Sequence, residues 1–212
     1  MEQVLIENDI DIVLGCETHL CPSIKNSEFI PENYTCFRKD RQDGWGGVII
    51  ITKSHLITEQ IMSSIKSELI AIKIETLNQP VVLCSLYRPP NSKVIDIQNI
   101  TNEIEFLVKK HKNSPIWIGG DINLPDIEWE SNAIKTHQYL YKINETFIQM
   151  MYDCHLDQVV NFPTRGKNIL DVLLTNNTSL IERIIDVPGI SAHNNIVVAD
   201  FKACVLRLKP HH

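Results

Sequence analysis

Short apolar runs rich in Val, Ile and Thr, each ended by glycine, proline or polar residues, make up most of this chain. Such runs predict β-strands, here over residues 10–15, 34–38, 48–52, 67–75, 81–87, the run before Gly119, 168–175, 183–187 and 196–206. Apolar residues at helical spacing predict two amphipathic helices, over 95–111 and 139–154. Strands in pairs with few helices between them predict an α+β fold, in which helices flank two packed sheets.

The composition is typical of an ordinary globular domain. The chain has 212 residues, of which 43% are hydrophobic and 22% charged, so one domain with a sizeable core is expected. No apolar stretch approaches membrane-spanning length, and the first residues include no basic segment, so we expect an intracellular protein without a membrane partner. The six cysteines show no CxxC spacing, which favours reduced thiols over a zinc site.

The net charge of −6 argues against a generic polyanion binder, because such domains are normally basic. It does not exclude nucleic acid as a substrate, because salt screens exposed charges beyond about 8 Å and local clusters matter more. Basic residues cluster at 38–41, at Arg88 and at 164–167. An ordinary solvated loop is the commoner explanation for a cluster of this kind.

One apolar run ends in the string Gly119-Gly120-Asp121-Ile122-Asn123. Residues two apart in a strand lie on the same side, so Asp121 and Asn123 are expected to point into the same space beyond the strand end. A carboxylate and an amide placed together on a rigid sheet suit work on a phosphate. An ordinary Asp/Asn turn after a buried strand would produce the same string.

Other polar groups recur at predicted strand ends, namely Glu17, Asp171 and the Ser191-Ala192-His193-Asn194 turn. Glu17 alone could be an exposed loop acid. Asp171 lies within an apolar strand, where an unpaired carboxylate costs several kcal/mol. His193 is a natural partner, because a buried Asp fixes the tautomer of an imidazole and favours its protonated form. We therefore expect a functional Asp171–His193 pair.

Five motifs occur along the chain in a fixed order: Ile12 to Thr18, Ser85 to Pro90, Gly119 to Pro125, Leu170 to Thr175 and Pro188 to Asn194. Together they resemble the endonuclease/exonuclease/phosphatase superfamily, and within it the apurinic-endonuclease-like domain of non-LTR (LINE-type) retrotransposon polyproteins. The resemblance implies a four-layered αββα sandwich of two packed mixed sheets. It also implies hydrolysis of phosphodiesters with Mg²⁺ or Mn²⁺, in which the enzyme nicks double-stranded DNA so that the freed 3′-hydroxyl primes reverse transcription.

The resemblance also implies roles for individual residues. Glu17 and Asp121 would hold the metal ion, and Asp121 would activate or orient the attacking water with the help of Asn123. Tyr87 would hydrogen-bond the scissile phosphate. His193, oriented by Asp171, would stabilise negative charge on the phosphoryl oxygens. The expected contacts to the DNA strand are Arg41, Arg88, Thr164, Arg165, Asn168 and Ser191.

The chain departs from the family pattern in two places. The last motif of the family is Ser-Asp-His, whereas this chain has Ala192 at the middle position. The family also begins with a strand that carries an active-site Asn, and no equivalent precedes Ile10. Both differences predict weak activity or none.

We expect an endonuclease-like domain over 1–208 and a polar tail or tag remnant over 209–212. The resemblance further implies a following reverse transcriptase domain and a nuclear location. Two other functions fit the same motifs. One is a phosphoester phosphatase of the superfamily. The other is a non-catalytic nucleic-acid-binding or protein-binding module that retains the fold.

Overall fold

The computed structural model of the protein describes residues 5, 9–42, 44–187 and 196–202. The strands are β1 Ile12–Cys16, β2 Tyr34–Lys39, β3 Val48–Lys53, β4 Thr58–Ser63, β5 Glu68–Ile74, β6 Val81–Tyr87, β7 Ile116–Asp121, β8 Ile127–Glu128, β9 Ala133–Ile134, β10 Asp157–Gln158, β11 Asp171–Thr175, β12 Ile181–Val187 and β13 Ile196–Phe201. The helices are α1 Val94–Lys110 and α2 Tyr141–Asp153.

Two sheets form the body of the protein. The smaller one is antiparallel, in the order β1-β3-β2, and the larger has six strands in the order β10-β11-β7-β6-β5-β4. Strands β6 and β7 are parallel, whereas the other neighbours in the larger sheet are antiparallel, so this sheet is mixed. A parallel pair needs a crossover connection, and α1 provides it. The pairs β8–β9 and β12–β13 are separate hairpins.

Side-chain alternation along β5 shows how the layers are separated. Ile70 and Ile72 contribute to the core between the two sheets, together with Ile50 of the smaller sheet. Leu69 and Ala71 face the other way, into the core that the larger sheet forms with α1 and α2. Because both faces are covered, every residue of β6 is buried. The predicted α+β sandwich of packed sheets and flanking helices is confirmed.

The outer face of the smaller sheet carries a third, smaller core. Ile49 and Ile51 pack there against Leu5, Ile30 and Tyr34. The Tyr34 hydroxyl donates to the carbonyl of Ile10 at 2.8 Å, which ties this layer to the start of β1. Apart from the two hairpins, the layers of the described residues are therefore the helices, the six-stranded sheet, the three-stranded sheet and a thin outer covering.

The element bounds differ from the sequence prediction in a few places. Both helices begin and end within two residues of their predicted bounds, and β6 covers the predicted range. The polar strand β4 and the short strands β8, β9 and β10 were not predicted. The strand predicted over 168–175 begins only at Asp171, because residues 165–168 form a turn closed by Asn168 N donating to Arg165 O at 3.0 Å. In the part of the chain that the structure covers, no helix is long and apolar enough to span a membrane.

Candidate active site

At one end of the larger sheet, two strands end and a third begins, side by side. The last residues of the parallel strands β6 and β7 are Tyr87 and Asp121, which are partners in the strand register. Asp171, the first residue of the antiparallel strand β11, is paired with Asp121 on the other side. A phenol and two carboxylates therefore lie in one row across the sheet. Asp121 and Asp171 are 50 residues apart in the sequence, and only the pairing of β7 with β11 brings them together.

Glu17 reaches the same place from the smaller sheet. It follows β1 directly and has a left-handed backbone conformation, with φ +52°. The Tyr87 hydroxyl donates a hydrogen bond to Glu17 Oε1 at 2.5 Å. A second hydrogen bond between the sheets lies two residues earlier in β6, where Ser85 Oγ donates to the carbonyl of Gly15 at 2.8 Å. These two bonds hold the ends of β1 and β6 against each other.

The two glycines before Asp121 allow this close packing. A Cβ on Gly119 would lie 2.8 Å from Leu14 Cδ1 of the smaller sheet. Gly120 has φ +150°, and a Cβ there would lie only 1.8 Å from the carbonyl oxygen of Leu86 in the neighbouring strand. Side chains at these positions would force β7 away from β1 and β6. The glycines thus determine where the Asp121 carboxylate lies.

The turn after β7 places a carboxylate and an amide together, as the sequence predicted. Asp121 is 1% exposed and Asn123 is 5% exposed. The backbone N–H of Asn123 donates to Asp121 Oδ1 at 2.9 Å, and the side-chain amide of Asn123 donates to the Arg88 carbonyl at 2.9 Å. Asn123 has φ +47°, a conformation that Asn tolerates better than most residues. Both side chains are therefore held in single, hydrogen-bonded positions.

Arg165 is the cation of this group. Its Nη2 donates to Asp121 Oδ2 at 3.0 Å, and its Nη1 donates to Asn123 Oδ1 at 3.3 Å. The side chain is 33% exposed, so the guanidinium lies between the buried carboxylate and the protein surface. The turn that carries Arg165 is closed by its N–H donating to the Asn168 carbonyl at 3.1 Å, with Gly166 at φ +63°.

The site has more negative than positive charge among the described residues. Burial, and then the negative charge of Asp171, raise the pKa of Asp121 to about 7, although Arg165 acts in the opposite direction. Burial also raises the pKa of Asp171, although the Thr164 hydroxyl and Arg165 lower it. Burial and the hydrogen bond to Glu17 raise the pKa of the Tyr87 hydroxyl, which therefore stays protonated as a donor.

These charges fit a bound divalent cation. The buried Asp171 Oδ2 has no hydrogen-bond partner among the residues that the structure describes, and Glu17 interacts electrostatically with both aspartates. Within the same part of the chain, no group of three or more His, Cys, Asp or Glu side chains has the arrangement of a preformed metal site. Mg²⁺ does not need one, because it commonly binds through one or two carboxylates and keeps several waters. Glu17 and Asp121 are therefore the residues that could hold such an ion.

Two residues expected to contact DNA lie in the interior instead. Arg88 is fully buried, and its Nη1 donates to the carbonyls of Ile122 and Asn123 at 3.2 and 2.9 Å. Its guanidinium also lies over the ring of Tyr139, 4.8 Å from the centroid. A cation buried beneath the turn cannot meet a DNA strand at the surface. Arg88 therefore supports the Asp121–Asn123 turn.

Thr164 is the second of these interior residues and is 2% exposed. Its hydroxyl accepts hydrogen bonds from the backbone N–H groups of Leu170 and Asp171, each at 3.0 Å. It fixes the start of β11 and with it the position of Asp171. The expectation of a DNA contact is wrong for Thr164 and Arg88 in this structure, because burial removes both side chains from the surface.

Arg41 and Asn168, two further expected DNA contacts, lie at or near the surface. Asn168 is exposed at the end of the turn over residues 165–168. Arg41 is 37% exposed and forms an ion pair with Glu68 at 3.1 Å. Glu68, which the sequence reasoning missed, is paired with Tyr87 in the strand register and accepts the N–H of Gly47 at 2.6 Å. An acid at the start of an alternating strand carries no local signal that it supports a site.

Ser191, Ala192 and His193 lie outside the described residues. The expected Asp171–His193 pair therefore stays a prediction, as does the role of Ser191. Three of the four groups on which the sequence hypothesis rested, Glu17, Asp121 and Asp171, do converge on one place. The arrangement can bind a cation beside a hydrogen-bond donor, a buried base and a guanidinium.

The described residues thus form an α+β sandwich that carries carboxylates, a phenol, an amide and a guanidinium at one end of its larger sheet. A family model described as endonuclease-reverse transcriptase matches residues 81–197, more than half of the chain. The chain therefore belongs to the endonuclease-reverse transcriptase family, and its predicted membership of the endonuclease/exonuclease/phosphatase superfamily is confirmed. No curated protein matches the sequence significantly.

Solved structures share the fold at low sequence identity. The endonuclease domain of TRAS1, a telomere-specific non-LTR retrotransposon, superimposes with a TM-score of 0.73 at 15% identity, covering 94% of this chain and 89% of that one. The 3′ phosphatase NExo from Neisseria, bound to a product DNA hairpin, has a TM-score of 0.67 at 13% identity, with coverages of 94% and 92%. The catalytic domain of human Nocturnin with bound sulfate has a TM-score of 0.62 at 12% identity, with coverages of 95% and 84%.

Proposed function

We propose that this protein is a metal-dependent phosphodiester hydrolase that nicks double-stranded DNA. The observation that carries the proposal is the meeting of Glu17 and Asp121, from different sheets, beside the Tyr87 hydroxyl and the Arg165 guanidinium. Membership of the endonuclease-reverse transcriptase family supports DNA as the substrate. The solved endonuclease domain of a non-LTR retrotransposon with the same fold supports it as well.

Glu17 and Asp121 hold Mg²⁺ or Mn²⁺ in this proposal. The ion supplies Lewis-acid activation of the phosphoryl group and neutralises charge that develops on it. Carboxylate oxygens are the ligands that such hard cations prefer. The excess of negative charge around Asp121 supports this assignment, because a cation relieves the repulsion between Asp121 and Asp171.

The remaining side chains position the substrate and the attacking water. Asp121 accepts a proton from, or orients, the water, and the Asn123 amide helps to hold that water in line. Tyr87 donates a hydrogen bond to a phosphate oxygen, and Arg165 and His193 stabilise negative charge on the phosphoryl group. Asp171 orients His193. Arg41 and Asn168 contact the DNA backbone, which positions the strand without reading its sequence, and Ser191 contributes a further hydrogen bond.

The activity of this chain is proposed to be weak. Ala192 replaces the acid of the family motif, which removes a negative charge from a site that gathers cations. Losses of about 10²- to 10⁴-fold are ordinary for such a change. As part of a retrotransposon polyprotein with a reverse transcriptase domain, the protein acts on chromosomal DNA in the nucleus.

Nicking of supercoiled plasmid in Mg²⁺ or Mn²⁺ tests the proposal. The chain is compared with Glu17→Gln, which removes a metal ligand, and with Ala192→Asp, which restores the family acid. We expect slow nicking by the unchanged chain, none by Glu17→Gln and faster nicking by Ala192→Asp. Retention of DNA by all three without cleavage would instead identify a non-catalytic binding module.

Removal of a terminal 3′-phosphate is the second candidate activity. A 3′ phosphatase bound to a DNA hairpin has the same fold, and the proposed residues would act on a terminal phosphate by the same chemistry. An oligonucleotide with a 3′-phosphate, incubated alongside the plasmid, separates the two activities. Release of inorganic phosphate without plasmid nicking would favour the phosphatase.

A further inference from the structure

Trp45 is a large aromatic side chain in an unusual environment. It is 71% exposed, whereas Trp117 and Trp129, the other two tryptophans of the chain, are 3% and 9% exposed. The ring of His19 packs edge-on against it, with 5.5 Å between centroids, and leaves most of the indole open to solvent. Exposing an indole of this size forgoes the free energy that its burial would contribute.

The loop that carries Trp45 is held firmly in place. The N–H of His19 donates to the Gly46 carbonyl at 2.9 Å, and the N–H of Gly47 donates to Glu68 Oε2 at 2.6 Å. Gly46 and Gly47 have φ of +89° and +92°, which side chains rarely adopt. A Cβ on either glycine would also lie 2.6 Å from an oxygen atom, of Glu68 and Thr18 respectively. Trp45 is therefore presented from a fixed platform.

The platform borders the candidate active site. Thr18 and His19, which hold the loop, follow Glu17 directly in the sequence. Glu68, which holds it from the other side, is paired with Tyr87 in the strand register. The Tyr87 hydroxyl donates to Glu17. The loop that carries the indole is thus hydrogen-bonded on both sides to neighbours of Glu17 and Tyr87 in the candidate active site.

We infer that Trp45 stacks on an unstacked nucleobase of the DNA strand beside the cleaved bond. This inference rests on the proposed action on DNA. Every nucleobase has a flat π-face, so an exposed indole next to a phosphate site suits this contact without a sequence requirement. The net charge of −6 gives the protein little general attraction for a polyanion, so a contact that does not depend on charge contributes more to affinity.

Binding of fluorescein-labelled oligonucleotides tests the inference independently of catalysis. Ca²⁺ replaces Mg²⁺ to prevent cleavage, and Kd is measured by anisotropy for Trp45→Phe, Trp45→Leu and Trp45→Ala. The control is Phe106→Ala, which removes an aromatic side chain that is 56% exposed, near the end of α1 remote from Tyr87. We expect Trp45→Ala to weaken binding about 10- to 100-fold, Trp45→Leu nearly as much, and Trp45→Phe and Phe106→Ala only slightly.

Two further readouts separate stacking from a backbone contact. Removing a stacked ring leaves the slope of log K against log salt unchanged, whereas removing a phosphate contact reduces it. DNA should also quench the tryptophan fluorescence of the unchanged chain and not that of Trp45→Phe, because the remaining tryptophans are buried. Binding and quenching should be stronger for a mismatched duplex, in which a base leaves the stack at lower cost, than for an intact one.

The inference and the proposed function can fail separately. Equal affinity of Trp45→Ala and the unchanged chain would overturn the stacking role, even if plasmid nicking is observed. A changed salt slope, or loss of binding in the Phe106→Ala control, would overturn it too. If DNA quenches the fluorescence and Trp45→Ala weakens binding, but no nicking is observed, the proposed hydrolase activity is refuted and the base contact is supported.

Discussion

The Tyr87 hydroxyl donates to Glu17 Oε1 at 2.5 Å and thereby joins the two sheets at the candidate active site. Tyr87 ends the central strand of the larger sheet, and Glu17 follows the edge strand of the smaller one. Each residue is placed by its own sheet, and the two side chains meet only when the sheets pack together. The bond therefore couples the assembly of the sandwich to the geometry of the carboxylate proposed to hold the metal.

Removing this bond should lower activity more than stability. Tyr87→Phe keeps the ring and its packing and loses only the donor, so we expect nicking to slow by roughly 10- to 100-fold and unfolding free energy to fall by about 1 kcal/mol. Plasmid nicking and urea denaturation measure the two effects. An unchanged kcat with a raised KM would contradict a role for Tyr87 beyond substrate binding.

Arg165 should control the protonation of Asp121. The guanidinium lowers the pKa of Asp121, which burial and Asp171 raise to about 7. Replacing Arg165 with Met removes the cation, so the pKa of Asp121 should rise further, whereas Lys should retain part of the effect. Carboxyl NMR titration in EDTA measures this directly. If the pKa of Asp121 is the same in Arg165→Met as in the unchanged chain, the ion pair is absent in solution.

Arg88 should matter for stability and for the turn after β7. Arg88→Met leaves the carbonyls of Ile122 and Asn123 without their donor, so we expect a loss of about 2–4 kcal/mol in unfolding free energy. The control is Arg183→Met, whose ion pair with Asp200 involves a side chain that is 61% exposed. Exposed pairs contribute about 0–1 kcal/mol, so this variant should unfold almost like the unchanged chain. Equal effects in both variants would contradict the supporting role of Arg88.

The metal-free protein should lose stability as the pH rises toward neutrality. The pKa of Asp121 is about 7 in the folded protein, against 3.8 for an ordinary Asp, so the folded state binds more protons between these values. The stabilising contribution of protonated Asp121 is then fully present below about pH 4 and is lost as the pH rises through 7. Its size is on the order of 2–4 kcal/mol. Asp171, whose pKa is also raised, contributes in the same direction.

Asp121→Asn isolates this contribution. It cannot titrate, so its unfolding free energy in EDTA should change less between pH 4 and 8 than that of the unchanged chain. Urea denaturation at several pH values measures the difference. Parallel pH profiles for the two proteins would show that the pKa of Asp121 is not raised by folding.

The sequence alone was enough to identify both helices and most of the longer strands, and to propose a chemistry for the site. The β-branched run of β6 and the helical spacing in α1 and α2 are local patterns, and the structure has elements at those places. The expected meeting of Asp121 and Asn123 is found, but the turn after β7, in which Asn123 has φ +47°, produces it, and not the two-residue period of a strand. The order of motifs identified the superfamily. The strand and helix patterns and each single motif depend on residues close together in the chain, whereas the order of the motifs spans residues 12–194.

The roles of the charged residues were decided by tertiary structure. Arg88 and Arg165 both come from basic loop clusters, yet one is fully buried beneath the Asp121 turn and the other binds the Asp121 carboxylate near the surface. Asp126 lies five residues after Asp121, yet it is engaged by the N–H groups of Gln138 and Tyr139, at 2.8 Å each, and serves the fold. Strand β4 is polar and exists because it pairs with β5.

The physical reason is the range of the interactions. Periodicity and turn chemistry act over a few residues, so the sequence by itself determined where both helices and the apolar strands form and which of their side chains share a face. Burial, ion pairing and a raised pKa arise only when distant segments meet in a low-dielectric interior. The tertiary structure therefore decided that Glu17, Asp121 and Asp171 share one site, and which arginine serves it.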